Sequence, residues 1–229
     1  MIGDRLDHVA LWVGDHDASA AFCTEHLGMH VIERTDAFAL VGTDARRGKL
    51  TFFAAGGERT WDPLERVTLH CAAPEALLEH LPPAAAATRA DDGTIELDGP
   101  DGLRLALRPS GPDHDGDLAR VTLRLHEPAA ARAAFVQLGF AQDEDGTLTV
   151  GDSELMLIKD PKNESDRPSH LNHLALLVDS AATAEAEARA LGFAIDRTVD
   201  AANTRAVFVW GPERVLVEYV EHKPTFALA

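Results

Sequence analysis

Apolar and polar residues alternate in short runs along the whole chain, and four of these runs begin alike. They are Leu6-Asp7-His8-Val9-Ala10-Leu11, Leu64-Glu65-Arg66-Val67-Thr68-Leu69, Leu118-Ala119-Arg120-Val121-Thr122-Leu123 and Leu171-Asn172-His173-Leu174-Ala175-Leu176. Alternation with period two is the pattern of a half-buried strand. The starts are 58, 54 and 53 residues apart (64−6, 118−64, 171−118). So regular a spacing marks an internal repeat.

The segments downstream of these starts repeat as well. Asp15 to Leu27 reads as a helix with an Asp/Ser cap, closed by Gly28. Pro128 to Leu138 is closed by Gly139, and Ala181 to Leu191 by Gly192. The Leu-Gly pair is a C-cap signal, because Gly tolerates the left-handed backbone. The second copy ends its helix less cleanly, at Leu81-Pro82-Pro83. Three short strand-like runs come after each helix. In the last copy they are Ala194–Thr198, Ala206–Trp210 and Val215–Val220, the final pair joined by a Gly211-Pro212-Glu213-Arg214 turn. The pattern predicts an α+β fold of four βαβββ modules at residues 1–57, 58–112, 113–162 and 163–229. Linkers rich in Gly, Pro and Asp fall at Ala55–Pro63, Ser110–Asp117 and Asp160–Ser169, and Glu221–Ala229 reads as a short closing segment.

The last apolar run holds one carboxylate, Val215-Leu216-Val217-Glu218-Tyr219-Val220. Burying an ionised Glu there costs several kcal/mol unless a positive charge meets it. His8 and His173 occupy the same place in repeated units, so a metal ion held by His8, His173 and Glu218 is the candidate partner. A lone His on an apolar strand is more often a hydrogen-bonded core residue; it is the repetition that favours the metal. The other histidines read as solvated or structural, except His170 and His222, which flank the site as candidate acid/base groups.

The formal net charge of −17 disfavours nucleic acid and anionic membrane as partners. No apolar run approaches the roughly 20 residues of a membrane helix. The N-terminus lacks a basic region followed by an apolar one, so no secretory signal is expected. Cys23 and Cys71 sit in apolar settings outside any CxxC pair and read as reduced core thiols of a cytoplasmic protein.

The Leu-x-His strand starts, the Leu-Gly helix ends and the run Phe208…Trp210-Gly211-Pro212…Glu218 resemble the vicinal oxygen chelate superfamily of glyoxalase I, extradiol dioxygenases, bleomycin-resistance proteins and related epimerases. The resemblance spans the chain. It implies paired modules curled into half-barrel cups, with metal ligands on the first and last strand of each module. First-strand positions would be His8, Arg66, Arg120 and His173; last-strand positions would be Phe52 or Phe53, Ala106, Ile158 and Glu218. Pairing modules 1 and 4 gathers His8, His173 and Glu218 into one cup and leaves modules 2 and 3 as a pseudo-site without cation ligands. Phe52, Phe53, Phe208 and Asn203 would line the substrate space.

Two His and one Glu make the extradiol ligand set, with Fe(II) favoured and Mn(II), Zn(II) or Ni(II) compatible. The implied reaction is ring cleavage of a catechol-type aromatic, by a monomer or a homodimer. Two departures count against it. Phe208 stands ten residues before Glu218, where extradiol relatives carry Tyr, and Ala194–Val207 holds no His. A redox-neutral isomerase, epimerase or lyase is the second reading, and a metal-free binding protein of the bleomycin-resistance kind the third.

Overall fold

The computed structural model describes residues 3–44, 46–57, 59–60, 63–160 and 168–226. Most of the predicted Asp160–Ser169 linker and the last residues of the closing segment lie outside them.

Each repeat folds as a strand, a helix and three more strands. The first contains β1 (Arg5–Val13), α1 (His16–His26), β2 (His30–Arg34), β3 (Phe38–Gly42) and β4 (Lys49–Ala54). The second contains β5 (Leu64–Cys71), α2 (Pro74–Leu78), β6 (Thr88–Arg89), β7 (Ile95–Asp98) and β8 (Arg104–Pro109). The third contains β9 (Leu118–Leu125), α3 (Pro128–Gln137), β10 (Ala141–Gln142), β11 (Leu148–Val150) and β12 (Ser153–Lys159). The fourth contains β13 (Leu171–Leu177), α4 (Ala181–Ala190), β14 (Ile195–Asp200), β15 (Thr204–Trp210) and β16 (Leu216–His222). The second helix is shorter than its sequence suggests. It stops at Leu78, and Pro82-Pro83 opens a 3-10 turn in place of further α-helix, since proline cannot supply the helical N–H.

The strands form two eight-stranded mixed sheets, ordered β14-β15-β16-β13-β1-β4-β3-β2 and β10-β11-β12-β9-β5-β8-β7-β6. Strands of the first and last repeats share one sheet, and strands of the middle repeats share the other. At each sheet centre two first strands run antiparallel: β1 with β13, and β5 with β9. Both central pairs carry two β-bulges. In the first sheet they fall at Asp7 and Asn172, in the second at Glu65 and Ala119. An extra residue breaks the in-out alternation, so Asp7 and His8 can serve the same face.

One face of the first sheet joins the main core, which takes Val9, Leu11, Phe52, Leu174 and Tyr219, all fully buried. Tyr219 donates its hydroxyl to the Leu138 carbonyl at the end of α3, 2.7 Å away, so the sheets are joined by a buried bond beside Glu218. The opposite face carries a smaller apolar cluster, Ala175, Ala206, Phe208, Leu216 and Val220. This second face is the cup floor.

Candidate metal centre

His8 lies opposite Ala175, and His173 lies opposite Ala10, on the antiparallel β1–β13 pair. The small partners let the two imidazoles meet across the diagonal, with ring centroids 5.1 Å apart. Glu218 lies beside Ala175 from the parallel strand β16. Three atoms converge: His8 Nε2 is 3.0 Å from His173 Nε2 and 3.2 Å from Glu218 Oε2, and His173 Nε2 is 2.8 Å from Glu218 Oε2. These three residues are the one His/Cys/Asp/Glu group of metal-binding geometry among the described residues.

The bulges decide the tautomers. His8 Nδ1 is 2.9 Å from Asp7 Oδ2, and His173 Nδ1 is 2.9 Å from Asn172 Oδ1. Both oxygens only accept, so each Nδ1 carries its hydrogen, and each ring, when neutral, turns its Nε2 lone pair into the cup. Two lone pairs and a carboxylate oxygen facing one point call for a cation. Separations near 3 Å fit three ligands on one face of an octahedron, each about 2.1 Å from a central ion. The donor set therefore fits a divalent ion.

The electrostatics of the three groups call for positive charge at the same point. Burial pushes the Glu218 carboxyl up, but the charges and hydrogen bonds of His173 and His8 outweigh it and hold the group well below the usual carboxylate range. Burial also pushes His8 down, yet hydrogen bonds and charge from Asp7 and Glu218 raise its pKa to about 9. A proton on His8 and a divalent ion are thus alternatives for one place. His173 is lowered, because burial outweighs the pull of Glu218.

Asp7 is itself buried, and it is anchored. Lys49 Nζ lies 2.9 and 2.8 Å from its two oxygens, and His222 Nε2 lies 3.3 Å from one of them. Burial raises Asp7, but hydrogen bonds from His222 and His8 and the Lys49 charge outweigh it, so it stays ionised. His222, stacked on Phe226 at 3.9 Å, is linked to His8 through Asp7. His170 donates Nδ1 to the Trp12 carbonyl, 2.7 Å away, and faces Asp101 at 3.8 Å; it fastens the start of β13 to β1.

The aromatic lining differs in part from the expected set. Phe208 packs edge-on against His173, with centroids 5.1 Å apart, and Phe53 lies 6.4 Å from the same ring. Phe52 points the other way, fully buried in the main core. Asn203 is exposed in the β14–β15 turn, where its carbonyl accepts the Lys223 N–H. The strand register also moves two last-strand positions. The residue beside Ala10, equivalent to Glu218 beside Ala175, is Thr51 rather than Phe52 or Phe53. In the third repeat it is Met156 rather than Ile158. The reason is register: the one-residue step from Phe52 to Thr51 reverses the side chain's face, and the two-residue step from Phe53 to Thr51 or from Ile158 to Met156 moves the position along the same face.

Sequence reasoning missed Thr51, Asp7 and Lys49. Asp7 carried a signal, since it precedes His8 as Asn172 precedes His173. Lys49 carried none, because its partner is 42 residues away. At the expected pseudo-site, Arg66 pairs with Glu96, and Arg120 and Arg108 both pair with Glu154. That cup already pairs its carboxylates with arginines and, among the described residues, offers no vacant place for a cation.

A family model described as the Glyoxalase/Bleomycin resistance protein/Dioxygenase superfamily matches residues 5–113. Among solved structures, a candidate dioxygenase from Bacillus subtilis subsp. subtilis str. 168 is 17% identical, with TM-score 0.74 over 99% of this chain and 87% of that one. Glyoxalase I from Zea mays is 17% identical, with TM-score 0.68 over 95% and 92%. The cppA protein from Streptococcus pneumoniae TIGR4 is 15% identical, with TM-score 0.64 over 96% and 100%. Such likenesses establish the fold and leave the reaction open. No curated protein sequence matches the chain. The family model thus covers just under half of the chain, and the solved structures show the same fold carried through the rest, so the chain is similar in its first half to the Glyoxalase/Bleomycin resistance protein/Dioxygenase superfamily and shares the glyoxalase fold throughout.

Proposed function

We propose that the protein is a metal-dependent enzyme that binds a substrate through two adjacent oxygens, and that its reaction is extradiol cleavage of a catechol-type aromatic. The carrying observation is that both imidazole Nδ1 atoms are committed to neighbouring oxygens while both Nε2 atoms and Glu218 Oε2 lie within 3.2 Å of one another. In this reading modules 1 and 4 form the working cup, and modules 2 and 3 are a braced pseudo-site. His8, His173 and Glu218 hold one ion, with Fe(II) preferred. A facial site of this kind keeps coordination positions open for a chelating substrate and, with Fe(II), for dioxygen.

The chain's own residues do the rest. Asp7 and Asn172 fix the imidazole tautomers. Phe53 and Phe208 give a planar ring two apolar walls and keep water from the open side. Thr51, buried beside Ala10, offers a hydroxyl at the fourth strand position. His222 borders the cup through Asp7 and is the better-placed proton carrier of the two candidate histidines; His170 is committed to Trp12. One observation favours the redox-neutral reading: the group packed on His173 is Phe208, which cannot donate or accept a proton. No helix among the described residues is long and apolar enough to cross a membrane. Both cysteines are free and buried, and we place the protein in the cytoplasm.

The test is metal analysis of anaerobically purified protein, followed by oxygen uptake with a panel of catechols. Stoichiometric iron and catechol-dependent uptake are expected. Bound metal with no uptake favours the isomerase or lyase reading, and protein that takes up no metal under any loading condition overturns both. His8→Ala, His173→Ala and Glu218→Ala should each abolish metal binding.

A further inference from the structure

Glu218, Phe208 and Arg197 lie in one row across three neighbouring strands, β16, β15 and β14. At about 4.8 Å per strand, the Arg197 backbone stands about 10 Å from that of Glu218. The side chain folds back toward the ligands: its guanidinium carbon lies 3.9 Å over the Phe208 ring, and that ring packs edge-on against His173. The guanidinium has one hydrogen-bond partner among the described residues, Asp196, reached through Nη1 at 2.5 Å. Asp196 is held from its other oxygen by Trp210 Nε1 at 3.2 Å. The side chain is 47% exposed, so its remaining N–H groups face open space. This happens on a chain with 38 acidic and 21 basic residues, where a chance neighbour of the site would more often be an acid.

We infer that Arg197 is the recognition residue for a carboxylate on the substrate, so that the cup takes an anionic aromatic: a ring chelating the ion through two adjacent oxygens and presenting its acid group across the Phe208 face to Arg197. This rests on the metal reading above and narrows it. Guanidinium and carboxylate pair in a planar fork, and the Phe208 face fixes the plane of that fork. Phe53 would cover the other side of the ring.

The experiment uses cobalt(II)-loaded protein under nitrogen, titrated with catechol and with 3,4-dihydroxybenzoate, with the cobalt visible bands as the readout. The wild type should bind the carboxylate-bearing ring about tenfold or more tightly than catechol, the scale of one charge-assisted hydrogen bond. In Arg197→Met the two ligands should bind alike, with catechol affinity unchanged, and Arg197→Lys should keep part of the preference. Unchanged catechol binding shows that the variant still folds and holds its ion. Equal affinities in the wild type overturn the inference and leave the metal site standing. So does a preference that survives Arg197→Met or disappears instead in Arg59→Gln, the other guanidinium near the cup, which lies 4.7 Å over the Trp12 ring. Failure to load cobalt, or cobalt bands that respond to neither ligand, overturns the chelation reading and this inference with it.

Discussion

Asp7 concentrates the residue-scale argument. Its carboxylate receives the His8 imidazole, the Lys49 ammonium and the His222 imidazole, and both Asp7 and Lys49 are almost completely buried. A buried carboxylate with three donors is a fixed object, and it fixes the ring attached to it. Asp7→Asn can still accept at one oxygen but loses the charge that steadies Lys49. We expect it to weaken metal affinity about 10- to 100-fold while all three ligands remain, as outer-shell changes at metal sites do. Zinc titration against a competing chromogenic chelator reads the change, and wild-type affinity in Asp7→Asn would refute the role. The second sheet offers a comparison without a metal. There the bulge residue is Glu65, and Arg104, in the register position of Lys49, pairs with it at 2.6 Å. The acid-and-cation pair at the bulge thus belongs to the fold, and the first cup has added a histidine to it. Glu154 gives the second cup its pH dependence. Burial raises its carboxyl, but hydrogen bonds and charge from Arg108 and Arg120 outweigh it, so its folded pKa lies below the ordinary value of 4.5. A lowered folded pKa adds stability at pH values above the unfolded pKa, and the gain is lost as pH falls through the folded one. Glu154→Gln should therefore cost about 2 kcal/mol at pH 7, and the deficit relative to wild type should shrink in urea melts toward pH 3. A deficit independent of pH would show that packing, not charge, is what the substitution removed.

The elements are held together by a device that appears twice. The Gly-Pro-Asp and Gly-Pro-Glu turns at residues 99–101 and 211–213 each put their acid in the left-handed region, Asp101 at φ 58° and Glu213 at φ 49°. Asp101 accepts the Gly14 N–H at 2.7 Å, just before α1. Glu213 accepts the His126 and Glu127 N–H groups at 2.7 Å each, at the start of α3. In both cases the acid comes from the other sheet. Helix α3 has no side-chain cap of its own, so Glu213 supplies it from outside. Glu213→Ala should lower stability by about 1–2 kcal/mol, read by denaturant unfolding, and should leave metal affinity unchanged. The repeated turn was visible in the sequence, but its partner was not, because that bond spans 86 and 87 residues. The same division runs through the site. The fold was legible because each module announces itself locally, by a Leu-x-x-Val/Leu strand start and by a Leu-Gly helix end in three of the four. His8 and His173 stood out by recurring in those strand starts, and Glu218 because it is charged within an apolar run. Thr51 and Met156 were overlooked because the level of a last strand against its first strand is set by the pairing register, which neither strand's own sequence gives. Phe52 and Phe53 are adjacent and chemically identical, so only the register could tell the core residue from the cup residue.

At the scale of the whole molecule, the two sheets solve one problem with different chemistry. Each must join two first strands that are far apart in sequence: β1 to β13 in one, β5 to β9 in the other. The contact region between halves leaves little slack. A Cβ on Gly48 would lie 1.8 Å from the Gly116 carbonyl oxygen, and one on Gly116 would lie 1.9 Å from Thr43 Oγ1. Both glycines also have positive φ, so Gly48→Ala should cost about 3 kcal/mol by strain and overpacking together. Within the second sheet, arginines and carboxylates cross the join and need nothing from solution. Within the first, the join is crossed by acceptors that need a cation, and His8 and His173 are 165 residues apart. An ion bound there links the first quarter of the chain to the last, and it binds only the folded state, so it stabilises by mass action. At a free concentration 100 times Kd the gain is about 2.7 kcal/mol, or about 5–10 °C in Tm for a chain of this size. Chelator should therefore lower the Tm of the loaded protein by that amount, and excess zinc should restore it. His173→Ala should melt at one temperature with or without metal. Arg120→Gln, which removes one ion pair of the other sheet, that with Glu154, should melt lower than wild type and still gain the full increment from zinc. A metal increment lost in Arg120→Gln would mean that the two cups are not independent, and one kept in His173→Ala would place the stabilising ion elsewhere.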